Sequence, residues 1–161
     1  MRRTLGIALF AGIALLVAGC DEIGDAFDGV RGSGNVITEE RDVSGFDEIV
    51  VLGSGGVTVS VTGTETLTVE AEDNIMPLLT TDVKNGRLEL GSRESFSATK
   101  GIKYTITVAT LTGIEINGSG DVVATGIDNE SFAVEISGSG DVDATGVAAS
   151  LDVGISGSGT Y

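Results

Sequence analysis

The chain has 161 residues, enough for one domain, and carries a formal net charge of −15 without any histidine or tryptophan. So acidic a surface repels nucleic-acid phosphates and anionic lipid headgroups, which excludes nucleic acid as a partner. The single cysteine excludes an intramolecular disulfide. Hydrophobic residues make up 41% of the chain and recur in regular alternation with Thr, Ser and Glu, which excludes disorder and favours β-strands.

The first 19 residues have the form of a bacterial lipoprotein signal peptide. Arg2 and Arg3 supply the positive start, and an apolar run from 5 to 18 is too short to span a bilayer comfortably. The stretch 16–20, Leu-Val-Ala-Gly-Cys, resembles a lipobox. We therefore predict cleavage before Cys20 and acylation of its thiol, which anchors the chain to a membrane. The alternative is an ordinary secretory signal in which the cysteine falls there by chance.

The residue after the acylated cysteine bears on which membrane holds the anchor. Asp21 at this position resembles the inner-membrane retention signal of enteric bacteria, a rule that does not extend to all bacteria. We expect the cell envelope, on the periplasmic side or at the cell surface, with inner and outer membrane both open. Residues 20–31 are short, acidic and without a usable period, so they are predicted to be a tether.

Residues 32–161 are predicted to form one β-rich domain, which begins with strands and a hairpin. Asn85-Gly86 is the strongest hairpin signal, because both residues tolerate positive φ. Residues 73–79 contain the only proline and predict an excursion, with Asp73 or Asn74 capping a helical turn. The polar stretch 91–101 predicts a loop. Alternation predicts strands over 48–52, 57–62, 67–71, 81–84, 87–90 and 103–108.

The rest of the chain repeats itself. Gly-Ser-Gly occurs at 118–120, 138–140 and 157–159, in steps of 20 and then 19 residues, and earlier copies lie at 32–34 and 53–55. A fixed period of this size is typical of a solenoid. Aligning the copies places Ile116 over Ile136 over Ile155 as an aliphatic ladder. The predicted fold is all-β: a right-handed parallel β-helix-like solenoid with coils of about 20 residues and about three short strands each.

Two details of the repeat need an explanation. The coil that is one residue shorter is predicted to lose that residue in a corner loop, where 147–153 takes the place of 127–134. The Gly-Ser-Gly units are predicted to be thin corners that need glycine at positive φ, with Asp121 and Asp141 as turn-capping side chains. The alternative is calcium binding by Asp121 and Asp141, as in proteins with nine-residue glycine-aspartate repeats, and the 20-residue period disfavours it.

Several stretches together resemble a known family. The sequence Arg-Asp-Val-Ser-Gly-Phe-Asp-Glu-Ile-Val-Val at 41–51, the alternating valines of 57–61 and the serial Gly-Ser-Gly-Asp-Val are similar to the auto-transporter adhesin, head GIN domain family. The resemblance runs from about Gly32 to Tyr161. It implies a β-helix-like fold on secreted or envelope-anchored proteins, and it brings no catalytic residues. This chain stops at Gly159-Thr160-Tyr161, in the middle of a coil, so we expect a partner that caps it or a truncated form.

The sequence favours a non-catalytic function. Acid–base catalysis needs paired carboxylates in a cleft, whereas the acidic residues here are scattered at outward positions, and there is no histidine to act as a base. We predict no enzyme activity and no cofactor. The expected function is adhesion or another surface interaction with a protein or glycan ligand. A periplasmic scaffold that binds an envelope protein is the alternative, and a carbohydrate-active enzyme is the less favoured one.

Overall fold

The computed structural model describes residues 29–161, so the leader, Cys20 and most of the predicted tether lie outside the described residues. Within residues 29–161, no helix is long and apolar enough to cross a lipid bilayer. The strands are β1 Val30–Arg31, β2 Val36–Arg41, β3 Glu48–Val51, β4 Gly56–Val61, β5 Thr66–Glu72, β6 Leu79–Lys84, β7 Arg87–Ser92, β8 Phe96–Ser97, β9 Lys103–Val108, β10 Gly113–Ile116, β11 Asp121–Ile136 and β12 Val142–Ile155.

The all-β prediction is confirmed. One 3₁₀ turn, Met76–Leu78, is the only helical element of the described part. Ten strands form one mixed sheet, nearly closed on itself, in the order β2-β5-β9-β4-β11-β10-β3-β7-β6, with β12 added on β11. The two short strands β1 and β8 pair with each other in parallel. Val30 therefore belongs to the folded part, where it packs against the core.

Parallel pairing builds two walls that share the long strands β11 and β12. The first wall stacks β7, β3, β10 and the C-terminal halves of β11 and β12. The second wall stacks β9, β4 and the N-terminal halves of the same two long strands. The chain thus passes from one wall to the other and back in each coil. This parallel stack is what the repeat predicts, and the right-handedness of the predicted solenoid stays a prediction.

Antiparallel strands extend both walls away from the repeats. Strand β5 pairs with β9, and β2 pairs with β5, so the second wall continues as an antiparallel sheet. Strand β6 covers β7 through the predicted hairpin, in which Asn85 and Gly86 have φ values of 53° and 81°. The hairpin prediction is confirmed, and the physical reason holds, because both turn residues lie in the left-handed region.

The core is an aliphatic ladder between the two walls. Ile116 pairs with Ile136, and Ile136 pairs with Ile155, in the register that the repeat predicts. The first two side chains are fully buried, whereas Ile155 keeps 46% of its surface exposed because no further coil of the described chain lies on it. The ladder prediction is confirmed. Fully burying an isoleucine side chain contributes about 1.5–3 kcal/mol, so each inner rung stabilises the stack.

The coils are not made of three short strands each, and that prediction is wrong. Strand β11 runs unbroken for 16 residues and β12 for 14. The one-residue difference between them lies at Gly126, where a β-bulge shifts the register between Thr125 and Ile127. A bulge absorbs an extra residue without ending the pairing, so no corner loop is needed. Gly126 has φ of 82°, a conformation that favours glycine.

The Gly-Ser-Gly corners also have a different cause from the predicted one. The Gly-Ser-Gly glycines of the three copies from 118 to 159 do not have positive φ, whereas Gly34 and Gly55 of the two earlier copies do, as predicted. Instead, Ser139 N–H donates to the Gly118 carbonyl at 3.0 Å, and Ser158 N–H donates to the Gly138 carbonyl at 3.0 Å. A Cβ on Gly138 would overlap the Gly118 oxygen. Glycine is required because the backbones of successive coils approach this closely.

Two further expectations for the N-terminal part are wrong. The copy of Gly-Ser-Gly at 32–34 lies outside the stack, where it wraps around the side chain of Glu72. The 3₁₀ turn begins after Ile75 and has no side-chain cap. Asp73 and Asn74 instead hold the 31–35 segment, because Asn74 accepts from Ser33 N–H at 2.9 Å and Asp73 accepts from the Asn35 amide at 2.9 Å. Tertiary hydrogen bonds have replaced the local cap.

Candidate interaction surfaces

The outward side of the second wall is a flat array of hydroxyl groups, here called the hydroxyl face. In one row across the strands, Thr66 pairs with Thr107, Thr107 with Ser60, Ser60 with Thr125, and Thr125 with Thr145. In the neighbouring row, Thr68, Thr105 and Thr58 are in register. Adjacent strands lie about 4.8 Å apart, so the hydroxyls repeat at that interval in one direction.

Local sequence explains why these hydroxyls share a face. In strands such as Thr105–Thr107 and Thr66–Thr68, each threonine alternates with a buried aliphatic residue, so all threonines point outward. The Thr66 and Thr107 hydroxyls hydrogen-bond to each other at 2.8 Å. Beneath the face, burial raises the pKa of Tyr104 to about 12, so the phenol is neutral and adds no charge. The face is therefore polar but almost uncharged along its two rows.

The outward side of the first wall carries carboxylates instead, and is here called the carboxylate face. A depression of ≈ 320 Å³ is lined there by Glu48, Glu115, Glu135 and Asp152. Arg87 forms ion pairs with Glu48, at 3.1 Å, and with Glu115. Burial is the largest single effect on the pKa of Arg87, and it lowers that pKa. The hydrogen bond and the attraction to the neighbouring carboxylates together outweigh burial, so the pKa of Arg87 is raised. The depression is shallow, and its acids are spread over four strands.

Asp121 and Asp141, the candidate calcium ligands, link successive coils. The Asp121 carboxylate accepts the backbone N–H of Asp141 at 3.0 Å, and the Asp141 carboxylate accepts both the N–H and the hydroxyl of Thr160 at 2.8 Å. Each aspartate thus binds the equivalent position one coil further on. Among residues 29–161, no three side chains of His, Cys, Asp and Glu lie together as a metal would need.

A buried carboxylate that sequence reasoning missed lies at the far end of the second wall. Glu72 is fully buried, and it accepts the hydroxyl of Thr99 at 2.6 Å, the N–H of Thr99 at 2.8 Å and the N–H of Gly34 at 2.6 Å. These bonds, the Thr99 hydroxyl first, lower the pKa of Glu72. In the sequence Glu72 follows the alternation as an outward polar residue after Ala71, so only the structure reveals that it is buried.

Of the three predicted site residues, the structure brings Asp121 and Asp141 together. Cys20 lies outside the described residues, so its acylation stays a prediction. Asp121 and Asp141 lie on neighbouring coils at one corner of the second wall, beside the hydroxyl face. The candidate interaction surface is therefore the hydroxyl face, which the sequence indicates only as a Ser/Thr-rich outward side of the strands.

The fold and its surfaces define a class of protein: a small β-stacked module whose outward faces are flat. Residues 45–161 match the family described as "Putative auto-transporter adhesin, head GIN domain". The chain belongs to this family, as the resemblance predicts.

Solved structures share this fold. A putative adhesin from Bacteroides fragilis has a TM-score of 0.73 and 29% identity, over 81% of this chain and 63% of that one. A putative adhesin from Parabacteroides merdae has a TM-score of 0.70 and 15% identity, over 78% and 55%. A putative lipid binding protein from Parabacteroides distasonis has a TM-score of 0.55 and 22% identity, over 78% and 62%. The chain thus spans less than two thirds of these proteins. No curated protein matches it.

Proposed function

We propose that this protein is a lipid-anchored, non-catalytic module of the bacterial envelope that binds a protein or glycan ligand through its hydroxyl face. The observation that carries the proposal is the register of the two hydroxyl rows across β5, β9, β4 and β11. A flat, regular array of donors and acceptors suits an extended ligand with a repeating structure, because several weak contacts then form at once. Membership of an adhesin family supports the same function.

The hydroxyl face suits this function better than the carboxylate face. A net charge of −15 repels acidic ligands, and the carboxylate face concentrates that repulsion around Glu115 and Glu135. The two rows of the hydroxyl face meet carboxylates only at their ends, where Asp143 lies next to Val123 and Glu40 lies next to Thr68. A neutral polymer can therefore approach it without a large electrostatic cost.

The geometry of the acidic residues supports a binding module over an enzyme. Catalysis by two carboxylates needs a pair in a cleft, one of them with a raised pKa. The fully buried Glu72 has a lowered pKa and is held by Thr99 and Gly34, so it is ionised and structural. The carboxylates of the first wall lie on an open, shallow surface. These features favour a binding function.

The binding proposal is tested with paired substitutions on whole cells. Thr58→Lys and Thr125→Lys each place a long charged side chain in the hydroxyl face, and Ala133→Lys makes the same change on the carboxylate face. All three positions are exposed. We expect the first two variants to lose most binding of the cells to a panel of glycans and matrix proteins, and Ala133→Lys to retain it. Equal binding by all variants would show that another surface carries the function.

The anchor and its location are tested separately. Metabolic labelling with a palmitate analogue should mark the wild-type chain and leave Cys20→Ser unlabelled; labelling of both would exclude Cys20 as the acylated residue. Protease treatment of intact cells should then remove the domain if it faces the exterior. Protection of the domain would favour the alternative function, a periplasmic scaffold that binds an envelope protein.

A further inference from the structure

Leu52 is apolar at a position where the later copies of the repeat are polar. The equivalent residues, each of which follows a rung of the aliphatic ladder, are Asn117, Ser137 and Ser156. Leu52 keeps 48% of its surface exposed, so its side chain contributes little to the core. A residue that breaks the pattern of its own repeat without a gain in packing is expected at a functional site.

Leu52 and Phe96 line one depression, here called the corner depression. It has a volume of ≈ 460 Å³ and lies where the Gly-Ser-Gly corner at 53–55 meets the segment 92–96. This volume falls within the range of about 300–1,000 Å³ that small-molecule sites occupy. Phe96 is only half-buried, whereas the aromatic residues of the core are buried. An aromatic and an aliphatic side chain are therefore both available to a ligand.

The other side chains of the corner depression are polar. Its lining includes four serines, which are Ser54, Ser92, Ser95 and Ser119. The Glu94 carboxylate joins them, and neither it nor the serine hydroxyls form a hydrogen bond or an ion pair within residues 29–161. Each hydroxyl can donate and accept, whereas the carboxylate only accepts. A ligand that carries several hydroxyl groups would match this set.

Backbone hydrogen bonds hold the segment 92–96 in place, although the sequence predicts a loop there. Arg93 N–H donates to the Leu78 carbonyl at 2.9 Å, and Val30 N–H donates to the Ser95 carbonyl at 3.1 Å. Strand β8 is also paired with β1. Because these contacts exist without a ligand, the walls of the corner depression need no ordering on binding, which avoids an entropy cost.

Charge narrows the chemical class of the ligand. None of the described residues that line the corner depression is lysine or arginine, and Glu94 makes it negative in a chain of net charge −15. Anionic ligands are therefore repelled. A metal ion or a simple amine gains nothing from Leu52 and Phe96, and a purely apolar ligand would strip water from Glu94. A neutral pyranose ring, with one face of C–H groups and a rim of hydroxyls, fits both kinds of lining.

We propose that the corner depression binds one neutral hexopyranose unit of a glycan. The C–H face of the sugar lies against Leu52 and Phe96, and two neighbouring sugar hydroxyls donate to the Glu94 carboxylate. Gly53 and Gly118 have no side chains, which leaves room for the ring. An open site for one sugar gains little free energy, so we expect a dissociation constant on the order of millimolar. The proposal does not depend on the ligand of the hydroxyl face.

Saturation-transfer NMR of the full-length chain, in a detergent without a sugar headgroup, tests binding directly. The probes are the methyl glycosides of glucose, galactose, mannose and N-acetylglucosamine, with methyl glucuronide as the acidic counterpart of methyl glucoside. We expect at least one neutral glycoside to bind, and the glucuronide to give no saturation transfer because Glu94 repels it. Absence of binding by all four neutral glycosides overturns the proposal. So does binding of the glucuronide as tight as that of the best neutral glycoside.

Four variants locate the site. Leu52→Ala removes the apolar contact and Glu94→Gln removes the charged acceptor, so each should weaken binding about fivefold, the scale of one lost hydrogen bond or of a few buried CH₂ groups. Val36→Ala and Glu130→Gln are the matched controls outside the corner depression, because Val36 is 47% exposed and Glu130 is exposed. Weakening of a control to the same extent as its partner variant contradicts the assignment.

Thr58→Lys, on the hydroxyl face, separates the two surfaces. Glycoside binding that is retained by Thr58→Lys and weakened by Glu94→Gln supports the corner depression, whatever the hydroxyl face binds. The reverse result would place the sugar on the hydroxyl face, which refutes this site and supports the function proposed for that face. Circular dichroism of each variant checks that a change in binding does not arise from loss of the fold.

Discussion

Replacing Ile136 by alanine tests the ladder at the centre of the fold. The side chain is fully buried between Ile116 and Ile155. The substitution removes the equivalent of three CH₂ groups, each worth about 0.8 kcal/mol, and thus about 2.4 kcal/mol of burial. Because the neighbouring coils are joined by backbone hydrogen bonds and cannot collapse fully, a cavity term adds to this. We expect the free energy of unfolding to fall by about 3–4 kcal/mol.

Ile155 provides a matched control on the same ladder. Its side chain is 46% exposed, so its alanine variant loses about half the burial and leaves no enclosed cavity. We expect a loss of about 1 kcal/mol. Urea denaturation followed by circular dichroism measures both variants at equal concentration. Similar losses for Ile136→Ala and Ile155→Ala, or a loss below about 1 kcal/mol at Ile136, would refute the stacked ladder.

Three further predictions concern the corners and the buried carboxylate. Gly138→Ala should lower the free energy of unfolding by about 3 kcal/mol or prevent folding, because the new Cβ would overlap the Gly118 carbonyl. Gly154→Ala is the control: its Cβ would meet no atom within 4 Å, so the free energy of unfolding should change by less than about 0.5 kcal/mol. Equal effects of the two variants in thermal denaturation would contradict the close approach of the coils. The pKa of Glu72 is lowered in the folded chain, so Glu72 stabilises the fold above the unfolded pKa near 4.5, and this stabilisation is lost as pH falls through the folded pKa. Glu72→Gln should lower the free energy of unfolding at neutral pH and reduce its loss between neutral and acid pH. An unchanged loss at acid pH would mean that other carboxylates cause it. Millimolar calcium should leave the thermal midpoint unchanged, because the Asp141 carboxylate is engaged by Thr160; a rise that Asp141→Asn abolishes would restore the calcium hypothesis.

Much of the strand pattern was predictable from alternation alone. Strands such as Lys103–Val108 and Arg87–Ser92 were predicted to within two residues, because each buried aliphatic side chain is followed by an outward polar one. The Gly126 bulge was missed, since a one-residue change of register leaves the local alternation on either side intact. The Glu72 clasp was missed because its partners, Thr99 and Gly34, are distant in sequence and carry no pattern of their own.

The candidate surface, too, was predictable from the sequence only in part. That Thr105 and Thr107 point outward follows from the period of a strand, and the sequence alone indicates it. That they lie beside Thr66, Thr68 and Ser60 depends on which strands pair, and in which register. Strand order is decided by long-range hydrogen bonds and by the packing of the core, neither of which local pattern contains.

The sequence by itself determined the all-β class, the family and the aliphatic ladder, because a repeat of about 20 residues can bury its apolar side chains only by stacking copies in register. It also determined where glycine was needed, although for a reason that only the structure revealed: the backbones of successive coils nearly touch at Gly118 and Gly138. The tertiary structure alone decided that β11 and β12 run unbroken through both walls and that antiparallel strands extend both walls. These features arise from pairing between distant segments, and such pairing is selected by the packing of the whole molecule.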